Sequence, residues 1–104
     1  MANARRGEIA ATLDGRERTL CLTLGALAEL EDALGLDDLG QLGERLSKGL
    51  RARDIAAIVA AGLRGAGESV SADDVLSMRC DGGAAGFAAL ANQLLRATFP
   101  PDAA

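Results

Sequence analysis

The sequence feature that most constrains this chain is a pair of alternating segments joined by the dipeptide Asp14-Gly15. Apolar residues alternate with polar or small ones on both sides of that dipeptide. Aspartate and glycine both tolerate positive φ, so they suit the two-residue turn of a β-hairpin. Such a turn places Ile9 opposite Leu20, with both side chains on the same face. We therefore predict a hairpin over residues 7–23, and its apolar face needs helices packed against it.

Two arginines fall on the same apolar hairpin face near the turn: Arg16, and Arg18, which is predicted to lie opposite Ala11. Their aliphatic stems can cover the edge of the core while the guanidinium groups reach water. An acidic partner that docks on these side chains is the second interpretation, and the residues alone favour the first.

Helical spacing of leucines and alanines follows the hairpin as far as Phe99. Glycine-rich or acidic turns divide this region into helical segments. The first predicted helix is 24–34, with Thr23 as its N-cap and Gly35 directly after its end. The next three are predicted from Asp37-Asp38 to Ser47, from Arg51 to about Arg64, and, as a short helix, from Ser71 through Met78. The last runs from about Ala84 to Thr98 and is ended by Pro100-Pro101.

The fold class that follows is α+β, with an N-terminal hairpin packed on a bundle of four to five short helices. A chain of 104 residues suits one hydrophobic core, so residues 1–104 are predicted to form a single domain. Leucine and alanine dominate that core and only two residues are aromatic, which favours packed helices over a β-sandwich. Residues 1–6 and 100–104 are expected to be flexible.

Composition argues against several classes of function. A net charge of −4 with two phenylalanines as the only aromatics provides neither a phosphate-binding patch nor a stacking platform, so no nucleic-acid partner is predicted. Without histidine, and with two cysteines lacking ligand spacing, neither a metal nor a cofactor is expected. We find no apolar run near the ~20 residues needed to cross a bilayer and no secretory signal. No membrane association and a cytoplasmic location are therefore predicted.

Three motifs invite an enzymatic interpretation. Glycines 62, 65 and 67 resemble a phosphate-binding loop, but they follow a helix and lack the Lys-Ser/Thr pair, so a helix-ending turn is favoured. Asp37-Asp38 and Asp73-Asp74 stand at predicted helix starts, where carboxylates are stabilised by the free amides. Cys21 and Cys80 are interpreted as small core or boundary residues. We therefore predict no catalytic residues and no enzyme activity.

The last helix is apolar around most of its circumference between Gly83 and Ala97. Such a helix is either buried on all sides or has a second face for a partner, and the sequence leaves both open. The leucine stripe of the second helix is another candidate edge of an apolar groove. The predicted protein-binding residues are Phe87, Leu90, Leu94, Leu39, Leu42 and Leu46.

The segments together resemble the gene transfer agent family of small tail proteins, described either as tail tube-related or as tail assembly chaperones. The similarity extends over nearly the whole chain, and its most specific part is the hairpin running into Leu22–Glu31. The matching stretches are Asn3–Ile9, Leu13–Arg16, Leu20–Glu31, Arg53–Ala57, Ala61–Gly65 and Ala97–Phe99.

This resemblance implies a non-enzymatic role in assembling the tail of a phage-like particle that transfers DNA between cells. The leading hypothesis is a chaperone that binds the tape measure protein, tail tube subunits or both, in an aliphatic groove. Polar replacement of Leu90 and Leu94 is then expected to abolish binding while the fold stays intact.

Two alternatives remain beside the chaperone hypothesis. The first is a structural subunit that stays in the mature particle, although a tube wall usually relies on sheets that continue between subunits, and only two strands are predicted. A helix-turn-helix regulator ranks last, because it needs a basic recognition helix and the third helix has an apolar centre. Self-association, including extension of the hairpin by another copy, stays open.

Overall fold

The computed structural model describes residues 2–3 and 6–99, in which two strands and five helices follow one another along the chain. This arrangement confirms the predicted α+β class with an N-terminal hairpin. The elements are β1 (Glu8–Leu13), β2 (Arg16–Cys21), α1 (Leu24–Leu34), α2 (Gly40–Lys48), α3 (Ala52–Gly65), α4 (Ala72–Leu76) and α5 (Gly83–Thr98).

The hairpin has the predicted turn and the predicted register. Asp14 and Gly15 have φ of 53° and 75°, so both turn residues are in the left-handed region that a tight hairpin turn requires. Ile9 pairs with Leu20 in the antiparallel ladder, and Ala11 pairs with Arg18. The turn also anchors the sheet to the rest of the domain, because the Asp14 amide donates to the Arg79 carbonyl over 2.9 Å.

Helix α1 begins and ends where its capping residues predict. The Thr23 hydroxyl accepts a hydrogen bond from the Ala26 amide, and Gly35 closes the helix with φ of 68°. At α4 the Ser71 hydroxyl accepts from the Asp74 amide while the Asp74 carboxylate accepts from the Ser71 amide. The predicted capping box is therefore confirmed, although α4 ends at Leu76, before Met78.

Helix α3 lies at the centre of the domain and packs against β2, α1, α4 and α5. The fully buried side chains come from both strands, from α3 itself and from the helices around it. The largest are Leu13, Leu20, Leu30, Leu42, Ile58, Val59, Leu63 and Leu94. Two glycines let α3 approach its neighbours: a Cβ on Gly62 would lie 2.5 Å from Leu94 Cδ2, and one on Gly65 would lie 1.9 Å from the Cys21 carbonyl oxygen. Two of the three glycines considered for a phosphate loop, Gly62 and Gly65, are thus packing positions within and at the end of α3, whereas Gly67 lies in the turn after the helix with φ of 103°.

Helix α2 begins later than predicted, at Gly40 instead of Asp37-Asp38. The two aspartates form the preceding turn, in which the Asp38 carboxylate accepts from the Gln41 amide and the Gln41 side chain accepts from the Asp37 amide. These local bonds satisfy the backbone without a helix, as short acidic side chains often do.

Besides the buried Leu42, an arginine side chain ties α2 to the rest of the domain. Arg45 donates to the Leu34 carbonyl at the end of α1 over 2.7 Å and to the Asp54 carboxylate over 3.3 Å. Asp54 is buried and also accepts from the Arg51 amide at the start of α3.

The terminal segments are described only in part. Asn3 accepts from the Arg6 and Glu8 amides, and its own amide donates to the Glu8 carboxylate. The helix stop predicted at Pro100-Pro101 and most of the ends expected to be flexible lie outside the described residues.

Candidate protein-binding surface

Two apolar grooves open on the surface, one at each end of α5. The first, which we call the α3–α4–α5 groove, has a volume of about 500 Å³. Its lining comes from Ala52, Ile55, Ala56, Val75, Leu76, Met78, Arg79, Cys80, Gly83, Ala84 and Phe87. The second, the α2–α5 groove, has a volume of about 460 Å³. Its lining comes from Leu39, Gly40, Leu42, Gly43, Leu46, Asn92, Leu95, Arg96 and Phe99.

The short helix α4 shapes the α3–α4–α5 groove. Its single turn points Val75 into the core and leaves the next residue, Leu76, 44% exposed at the groove. Phe87 is half-buried on the α5 side. Arg79 supplies a positive charge within a lining that is otherwise apolar or neutral.

The α2–α5 groove is a leucine-lined cleft with Leu42 buried and with Leu39 and Leu46 half-buried. Phe99, at the end of α5, is 44% exposed. Arg45 bonds α2 to the end of α1 and to Asp54 of α3, so it holds the α2 wall of the cleft against the rest of the domain.

The six predicted binding residues divide into three groups. Leu39, Leu42 and Leu46 line the α2–α5 groove, and Phe87 lines the α3–α4–α5 groove. Leu90 and Leu94 line neither groove and lie in the core, with 4% and 0% of their surface exposed. The burial of these last two does not agree with the expectation that they can be made polar while the fold stays intact. Which of these residues bind a partner stays a prediction.

The three most exposed large apolar side chains are not among the predicted binding residues. Leu76 and Phe99 lie at the two grooves, and Leu24 is 79% exposed on the first turn of α1. The three-residue spacing between Leu24 and Leu27 alone would place both leucines on one face of α1. On a helix of 3.6 residues per turn, however, Leu24 falls at the flank of the buried stripe.

The two hairpin arginines have an acidic partner within the chain. Arg16 and Arg18 both form ion pairs with Glu68, over 3.2 and 3.0 Å. The Arg18 side chain is 11% exposed, so its stem covers the edge of the core, but its guanidinium group is largely buried instead of reaching water as the favoured interpretation expects. A partner that docks there would compete with Glu68.

Other segments of the chain occupy both ends of the outer edge of β1. On the outer edge of β1, the Glu8 amide donates to Asn3 at one end, and Leu13 forms a bridge with Cys80 at the other. On β2, charged side chains occupy the first three positions from Arg16 to Arg18. Native sheets use charges and covering segments of this kind to prevent edge pairing.

The described residues contain no group of three or more His, Cys, Asp or Glu side chains that could hold a metal ion. Cys80 lines the α3–α4–α5 groove, and burial, with a contribution from the Asp81 carboxylate, raises the pKa of its thiol. A raised pKa leaves less thiolate at neutral pH than a free thiol has. None of the helices within residues 6–99 is long and apolar enough to cross a membrane.

Apolar grooves on a small, largely helical domain are typical of protein-interaction domains. A comparison with protein families gives the particular assignment: the family described as phage tail tube protein, GTA-gp10, matches residues 6–100. The chain therefore belongs to this phage tail family, as its resemblance predicted. No curated protein and no solved structure matches it.

Membership in this family supports a role in a phage-like tail and does not support the chaperone hypothesis in particular. Its description as a tail tube protein fits the structural alternative better.

Proposed function

We propose that this chain is a non-enzymatic structural subunit of the tail of a phage-like, gene transfer agent particle. The observation that carries this proposal is the family match, which extends over residues 6–100 and therefore includes every described strand and helix. In this proposal the chain is made in the cytoplasm and retained in the finished tail, where its partners are other tail proteins, the tail tube protein among them.

The two grooves support contacts of this kind. Each has a volume typical of sites that bind apolar side chains, and each lies next to a large exposed apolar residue. Leu39, Leu46 and Phe87 are the predicted binding residues that remain accessible at these grooves. We expect neighbouring tail proteins to insert apolar side chains there.

The test is the protein composition of purified particles. A structural subunit should copurify with the tail through density-gradient centrifugation, and deletion of its gene should leave particles with incomplete or missing tails. Particles with complete tails that lack the chain would refute the structural role.

A second candidate is the assembly chaperone, which one observation favours. The ends of the outer edge of β1 are covered and the first half of β2 is charged, features that disfavour the pairing a tube wall of continuous sheets requires. In this role an amphipathic helix of the tape measure protein would bind the leucines of the α2–α5 groove.

Co-expression with the tape measure and tail tube proteins distinguishes the two roles. A chaperone should be recovered with the tape measure protein before assembly and be absent from finished particles. Leu46→Glu, which changes a half-buried groove residue, should abolish that recovery, whereas Ser47→Glu on the same helix should not.

A further inference from the structure

We infer that the α3–α4–α5 groove binds the exposed face of α1 from a second copy of this chain, so that copies associate head to tail. The inference rests on the proposed function, because a structural tail subunit has to contact its neighbours. Its evidence, however, comes from the two surfaces themselves.

The exposed face of α1 has an apolar end and an acidic end. Leu24, Ala28 and Asp32 follow one another at four-residue spacing, so they lie on one face of the helix, and all three are exposed. Glu31 lies beside Asp32 at the same end of α1. Neither acid has an ion-pair partner among residues 2–3 and 6–99, whereas Glu29, on another side of the helix, pairs with Arg64. We call Leu24, Ala28, Glu31 and Asp32 the α1 face.

The α3–α4–α5 groove has the complementary character. Its lining is mainly apolar, and its volume of about 500 Å³ is ample for a leucine side chain and a neighbouring alanine. Arg79 lies in the lining, and Arg51 precedes Ala52, which lines the groove where α3 begins. Within the part of the chain that the structure describes, neither guanidinium group forms an ion pair. Apolar residues can therefore meet apolar residues while the two arginines meet the two acids.

The positions of the two surfaces exclude contact within one copy. A Cβ on Gly65, the last residue of α3, would lie 3.4 Å from the Thr23 amide, so α1 begins beside the end of α3. The groove is lined by Ala52, Ile55 and Ala56 from the opposite end of α3. Helical rise places these residues about 14–20 Å from Gly65 along the axis, too far for Leu24 of the same copy to reach.

Different surfaces on the two partners make this contact heterologous. A heterologous contact repeats from copy to copy and gives either a ring or an open chain, as a repeated tail subunit requires. One groove and three turns of one helix form a small interface, at the lower end of the range for specific complexes. Association of the isolated protein is therefore expected to be weak and to rise with concentration.

The test combines two single variants, each of which disables one of the two surfaces. Leu24→Asp places a charge on the α1 face, and the 79% exposure of Leu24 means that the core is unaffected. Ala84→Glu places a bulky acid in the groove; Ala84 is exposed on the first turn of α5, where a carboxylate favours the helix. Ala33→Asp is the matched control, because it adds the same charge to an exposed position on the other flank of α1.

Sedimentation velocity over a wide range of concentration should show association of the wild type and of Ala33→Asp. Each of the two surface variants should remain monomeric while its circular dichroism is unchanged. An equal mixture of the two variants should form dimers and nothing larger, because one intact α1 face then meets one intact groove. High salt should weaken the association, since arginine–carboxylate pairs contribute to it.

Three results would overturn the inference. A wild type that is monomeric at every concentration would exclude a second copy as the occupant. Association that Leu24→Asp abolishes but Ala84→Glu leaves unchanged would indicate contact between two α1 faces. Failure of the mixture to form dimers would contradict the head-to-tail arrangement.

Cys80 supplies an independent readout, because it lines the groove whereas Cys21 lies on β2. Occupation by a second copy should slow alkylation of Cys80 relative to Cys21 as the concentration rises. Protection of Cys80 that appears only when another tail protein is added would overturn the inference and leave the proposed function standing. Absence of the chain from particles would refute the proposed function, whatever the sedimentation result.

Discussion

Gly65→Ala should destabilise the domain although alanine is the better helix former. Gly65 ends α3 against the backbone of β2, and a methyl group there would lie 1.9 Å from the Cys21 carbonyl oxygen and 3.1 Å from its carbonyl carbon. The obstacle is backbone, which cannot rotate away as a side chain can. Helix α3 must therefore move by about 1 Å or more away from β2.

That movement sets the size of the effect. A gap of 0.5–1 Å loses about a quarter to a half of the dispersion energy of each contact it opens, and α3 packs against β2 through fully buried side chains. Overpacking of this kind costs about 1–3 kcal/mol and more where backbone must shift, while the gain in helix propensity is at most about 1 kcal/mol. We expect a net loss of about 2 kcal/mol, which lowers Tm by about 10 °C in a domain of this size.

Urea unfolding followed by circular dichroism measures this loss, with Gly43→Ala as the matched control. Gly43 lies within α2, and nothing comes within 4 Å of a Cβ placed there. The same change should therefore raise the free energy of unfolding by up to about 1 kcal/mol. If Gly65→Ala proves as stable as the wild type, or if both variants lose stability alike, the close approach of α3 to β2 is wrong.

Three further predictions concern the core, the anchor of α2 and the groove thiol. Leu94→Ala should lose about 3–5 kcal/mol, because Leu94 is fully buried; a smaller loss in urea unfolding would contradict its place in the core. Asp54→Ala should lose about 2 kcal/mol, since it removes the hydrogen bonds from the Arg51 amide at the start of α3 and from Arg45 of α2; an unchanged unfolding midpoint would show that these bonds do not stabilise the domain. At neutral pH the alkylation rate of Cys80 should be lower than that of a free thiol, because burial and Asp81 raise the pKa of Cys80. As the pH is increased, the rate for Cys80 should still be rising at a pH where the rate for a free thiol has become constant. A rate that levels off at the same pH as a free thiol would contradict this.

Local signals predicted the fold well where they were self-contained. The Asp14-Gly15 turn fixes both the register and the buried face of the hairpin, because a two-residue loop allows one pairing. Thr23 and Ser71 locate the starts of two helices through hydrogen bonds to amides only three residues away. Such interactions involve neighbours in sequence, so a single sequence contains the information.

Features that depend on distant neighbours could not be predicted in this way. The sequence around Gly65 does not indicate that β2 lies against this residue. Nor does the sequence around Glu68 indicate that it pairs with Arg16 and Arg18, which lie some fifty residues earlier. The grooves were only partly anticipated for the same reason. The leucine stripe of α2 follows from spacing, but the exposure of Leu76 depends on how α4 lies on α3.

The central claim is that this chain is a structural part of a phage-like tail, and its copy number in purified particles tests that claim most directly. Quantitative mass spectrometry with isotope-labelled peptides of this chain and of the other tail proteins gives the ratio in finished particles. A structural subunit should be present at a constant ratio to the tail tube protein in every preparation. Its absence from particles with complete tails, together with its presence in lysates during assembly, would contradict the claim and favour the chaperone.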